Sequence, residues 1–205
     1  MRARAGMTLL ELIVALAITG VAVSGGYSAF AQLADRRTQA ATTADAVARS
    51  AAIRATLATW LAGARLTIEE DDIVFRGIDD VHRDPLGDAP DDELTFFTSA
   101  RTPLGNGGTI IRLFVERGDT TEHGLVADLA AWHGTDRMHI VLDSAVGGMD
   151  AQFLSTALGA DAWSSSWVSS TILPAGARVT LSARPGDTLA PLIRAPITVS
   201  LENGR

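Results

Sequence analysis

The sequence predicts an α+β protein in which one very long N-terminal helix precedes an antiparallel β-sheet domain. Three observations predict it. No proline interrupts the chain before Pro85. Apolar and small residues up to about Gly63 recur at helical spacing. Beyond Gly63 the chain turns into short apolar or alternating runs bounded by Gly, Pro, Asp or Asn, the pattern of antiparallel strands.

Residues 1–6 form a short basic segment with Arg2 and Arg4, ending at Gly6. Residues 7–30 are almost wholly apolar or small, and Glu11 is their only charge. About 20 residues at 1.5 Å each cross a bilayer core, so this stretch suits one transmembrane helix. Gly20 and the Gly25-Gly26 pair each weaken a helix by roughly 1 kcal/mol relative to Ala, which allows one helix or two joined at the glycines. Residues 31–63 are an Ala-rich amphipathic continuation. Leu33, Ala40, Ala44, Val47 and Ala51 mark one face, and Ile53, Leu57, Trp60 and Leu61 continue a neighbouring one. Such a helix measures on the order of 80 Å, more than a small domain can bury. Its first half is therefore expected in membrane or against other subunits, its second half against the sheet. The small side chains of residues 40–58 permit close approach by other helices.

Residues 64–205 are expected to form the β-rich globular domain. "LTI" and "DIVF" precede an acidic loop, "DDVHRDPLGDAPDD". Then come "ELTFFTSA", "GTIIRLFVER", "GLVADLAAW", "DRMHIVLDSA", "MDAQFLS", "ARVTLSARP" and "APITVSLEN", each bounded by turn residues, with "PLGNGGT" as a hairpin loop. Trp60, at helical spacing from Leu57, is expected in the core. Trp132, Trp163 and Trp167 suit either a core or a partner contact.

The formal net charge is -7, and every basic side chain is an arginine. Phosphates need a basic surface, so this acidic body makes nucleic acid an unsuitable partner. Cysteine is absent, which excludes thiolate metal sites, thiol catalysis and disulfides. No phosphate-binding loop of the GxxxxGK[ST] form is present. His82, His123, His133 and His139 are scattered without metal-ligand spacing, and the serines of "WSSSW" and "VSST" lack a nucleophile elbow. They read as a polar turn between strands. The acids of "EEDD" (Glu69–Asp72) and of the loop from Asp79 to Asp92 match no calcium-loop spacing and read as a solvated face. No catalytic residue, metal or cofactor is expected.

Glu11 raises the sharper question, because an ionised carboxylate at membrane depth costs several kcal/mol. A conventional signal peptide cut after Ala31, exposing Gln32, leaves it unexplained. A cut after Gly6 explains it. Met7 becomes the new N-terminus, and its amine is a cation one helical turn away. Paired within a chain or between neighbouring chains, Glu11 becomes a register device for assembly, as buried polar groups are in coiled coils.

"RAGMTLLELIVALAITG" resembles the processing motif of type IV pilins and pseudopilins. The resemblance implies a pilin-like fold and cleavage between Gly6 and Met7 by a prepilin peptidase. It also implies N-methylation of Met7, with Thr8 and Glu11 as assembly and register positions. "LPAGARVTLS", preceded by the tryptophans of "AWSSSW", resembles the minor pseudopilin of type II protein secretion called protein J. "DDELTFFTSA" and "GLVADLAAW" are similar in order to its middle strands, although the aromatic pattern is thin and Tyr27 is the only tyrosine. What this implies is structural: a non-enzymatic subunit that forms the pseudopilus tip with proteins I, K and H and meets the major pseudopilin. It would work on the inner-membrane secretion platform, N-terminus cytoplasmic and globular domain periplasmic. Charge decides orientation poorly, since Arg36 and Arg37 nearly cancel Arg2 and Arg4. The alternatives are a type IV pilus minor pilin and, in a different class, an exported periplasmic protein or hydrolase with the signal peptide cut after Ala31.

Overall fold

A computed structural model describes residues 9–66, 75–83, 88–118, 123–156, 162–184 and 191–201. Helix α1 runs from Leu9 to Ala62, 54 residues, and passes through Gly20 and the Gly25-Gly26 pair without a break. Of the two forms expected, it is the single helix. The chain divides into two compact units, residues 1–46 and 47–205.

In the first unit nearly every described side chain is exposed, including Leu9 (78%), Tyr27 (76%) and Phe30 (71%). The hydroxyls in this stretch turn back on their own helix. Thr19 donates to the Ala15 carbonyl at 2.8 Å and Ser28 to that of Ser24 at 2.9 Å. These serine and threonine hydroxyls are thus satisfied inside the helix, which suits a surface facing lipid or another apolar helix.

The second unit begins within α1. Ile53, Leu57, Trp60 and Leu61 are buried, whereas Val47 and Ala51 are exposed, so the face through Trp60 packs on the domain and the alanine face is left open. Trp60 is therefore core, as its spacing indicated. Two sheets follow. The larger contains β1 (Phe75–Ile78), β4 (Glu93–Thr98), β5 (Thr109–Glu116), β6 (Gly124–Ala131), β7 (Arg137–Asp143) and β10 (Trp167–Ser169). Its order is β10-β1-β4-β5-β6-β7, and every neighbour is antiparallel. The smaller contains β8 (Val146–Ser155), β9 (Ala162–Ser164), β11 (Gly176–Ala183) and β12 (Ile197–Ser200), ordered β12-β11-β8-β9. Helix α2 (Pro191–Arg194) is a single turn before β12.

Strand alternation places Leu94, Phe96, Ile111, Leu113 and Leu129 on the inner face of the larger sheet, and Phe153, Ala177 and Val179 on that of the smaller. The sheets meet where Phe153 stands edge-on to Phe75, ring centroids 5.7 Å apart. Gly77 of β1 makes room for it: a Cβ there would lie 2.0 Å from the Phe153 ring. The "PLGNGGT" loop does join β4 and β5, with Gly105 at φ 113° and Gly108 at φ 84°, a conformation that L side chains resist. The acidic stretch is not all loop. It contains a two-stranded ribbon, β2 (Val81–His82) with β3 (Ala89–Pro90). "AWSSSW" is a turn between strands, but one with a further consequence: β9 belongs to the smaller sheet and β10 to the larger, so Ser165 and Ser166 carry the chain across.

Candidate assembly surfaces

Gly6, Met7 and Thr8 lie outside the described residues, as does "EEDD". Glu11 lies in the first turn of α1. Around it the helix is apolar: residues 9–62 include an 18-residue stretch apolar enough to cross a membrane, none of it buried. A Cβ at Gly20, Gly25 or Gly26 would meet nothing within 4 Å, so the fold of this chain does not require glycine at those positions.

In the second unit α1 is fastened at its C-terminal end. The Thr98 hydroxyl donates to the Trp60 carbonyl at 2.8 Å, and the Ser99 amide donates to Gly63 at 2.9 Å. Carbonyls at a helix C-terminus have no partner within the helix, and β4 supplies one. Arg54 donates to the carbonyls of Ala195 and Pro196, tying the helix to the approach of β12.

Sequence reasoning missed the role of Asp92. It belongs to the acidic stretch read as a solvated face, yet it is 1% exposed. Its carboxylate accepts the Asp80 amide at 3.0 Å and the Ala151 amide at 2.7 Å, pinning the β2–β3 ribbon onto β8. Burial pushes its pKa up to about 6. Those two amides pull it back, and the charges of Asp79 and Asp150 push it further up. Arg117 holds the neighbouring Asp91 at 3.1 Å. Among the described residues no cluster of His and acidic groups is built to hold a metal.

The outer face of the larger sheet carries a groove of 620 Å³ lined by Thr95, Ile110, Arg112, Asp128, Ala130 and His139, among others. Arg112 bonds Glu93 at 2.7 Å and lies over the Phe114 ring at 4.5 Å. The guanidinium beside Glu93 holds that carboxyl below the usual range. His139 Nδ1 is 2.7 Å from Asp128. The spacing in sequence hides this pair, because β6 and β7 bring the two residues opposite each other. On the smaller sheet Arg178 stacks on Trp163 at 4.1 Å, and at the edge of the larger one the Trp167 indole donates to the Ile172 carbonyl at 3.2 Å. Both tryptophans are fixed and partly exposed.

No curated protein matches the chain. The family model for the prokaryotic N-terminal methylation motif matches residues 1–27. That motif implies processing by a prepilin peptidase and assembly with other pilin-like subunits. With Glu11 opening an apolar helix ahead of an antiparallel β-sheet domain, it supports a membrane-anchored, pilin-like protein.

Proposed function

We propose that this chain is a minor pseudopilin of a type II protein secretion system, one that helps form the pseudopilus tip and start its assembly. The observation carrying the proposal is the methylation motif, with Glu11 in the first turn of an apolar helix. The subtype rests on "AWSSSW" and "LPAGARVTLS", which lie at the crossover between the sheets and at the entry to β11. Its partners are proteins I, K and H and the major pseudopilin, on the inner-membrane platform. Its globular domain lies in the periplasm, and its role is structural, without catalysis.

Cleavage after Gly6 gives Met7 a cationic amine, and Glu11 uses that charge to set register against its neighbours. The test is Glu11→Val in cells carrying the complete secretion apparatus. The variant inserts in the membrane as before but loses co-purification with the tip proteins; normal recovery of the assembly refutes the register role. Recovery of the native chain with type IV pilus proteins instead assigns it to that system.

A further inference from the structure

Edge strands expose unpaired amides and carbonyls, and proteins blunt them by keeping them short. Three of the four edges of the two main sheets follow that rule. β9 and β10 have three residues each and β12 has four. β7, at the far edge of the larger sheet, has seven. Its first three residues, Arg137 to His139, are exposed, with Met138 at 38%. Pairing with β6 is regular from Arg137 to Val141 and slips beyond it, where Leu142 is the extra residue. The usable template is therefore residues 137–141.

Charge narrows what can be added there. Arg112 is committed to Glu93 and Asp128, and His139 to Asp128. Arg137 lines the same groove, and among the described residues no hydrogen bond or ion pair holds it. It stands opposite Ala130, and the acid of the neighbouring strand, Asp128, lies opposite His139 and is shared by His139 and Arg112. An unpaired cation on an edge repels a second copy of that edge and selects an acidic one.

We propose that β7 is a strand-addition site for an extended acidic peptide segment. The segment pairs its main chain with residues 137–141 and sets a glutamate against Arg137. Main-chain bonds supply affinity and the charge supplies selection, as in other strand-addition complexes. The site is independent of the secretion reading and stands or falls without it.

The experiment uses the full chain in detergent micelles at low salt. The probes are acetyl-Thr-Val-Glu-Val-Thr-amide and its Gln analogue, read by binding isotherm and by backbone amide exchange. The Glu peptide is expected to bind about fivefold tighter than the Gln peptide, the scale of one exposed ion pair. Added protection should be confined to β7. In Arg137→Gln, an exposed change that leaves folding intact, both peptides should bind equally. Four results would each overturn the proposal: no binding at millimolar peptide, equal affinity in the native chain, a preference that survives Arg137→Gln, or protection outside β7.

Discussion

Asp92 is an acid that the fold holds in its less comfortable charge state at neutral pH. Its folded pKa of about 6 lies above the ordinary value of 3.8, so the folded chain binds the proton more tightly than the unfolded one. For an acid shifted upward, the penalty is complete above the folded pKa and vanishes below the unfolded one. Stability from this group therefore rises as pH falls from about 6 to about 4, by on the order of 3 kcal/mol. Denaturation of the native chain and of Asp92→Asn across that window should show the gain in the first and its loss in the second. Gly77 offers a second test. A side chain there meets the Phe153 ring, so Gly77→Val should cost about 1–3 kcal/mol or more, read as a lower denaturation midpoint. Neither role was legible in the sequence. The Ala151 amide that holds Asp92 is 59 residues away, and Phe153 belongs to the other sheet.

The elements themselves were far more legible. α1 runs without proline and its last turns, from Ile53 to Leu61, bury one face, while β4 and β5 alternate because each buries one face. What the pattern does not encode is partnership between distant segments. The β2–β3 ribbon was read as loop since two-residue strands have no periodicity to detect. The docking of the helix end is similarly non-local: it depends on Thr98, which donates to Trp60 and accepts from the Ala100 amide at 3.1 Å. Thr98→Val removes a buried hydroxyl and leaves both groups unsatisfied. The expected loss is about 1–3 kcal/mol, with the denaturant slope unchanged.

For the molecule as a whole, the sequence is most explicit where the fold says least. The order of Gly6, Met7 and Glu11 carries the cleavage and register roles proposed for them, whereas the β domain was legible as strands and turns. The intact mass of the mature protein tests the first statement directly. A chain beginning at Met7, with or without a methyl group, is expected; one beginning at Gln32 would mean a conventional signal peptide and leave Glu11 out of the mature protein.

The passage through Ser165 and Ser166 has its own consequence. Because one strand of this segment finishes the smaller sheet and the next finishes the larger, a strand that peels away pulls on its neighbour in the other sheet. Fraying at this edge of one sheet is therefore passed to the other through a short covalent link, which opposes separation of the two sheets there.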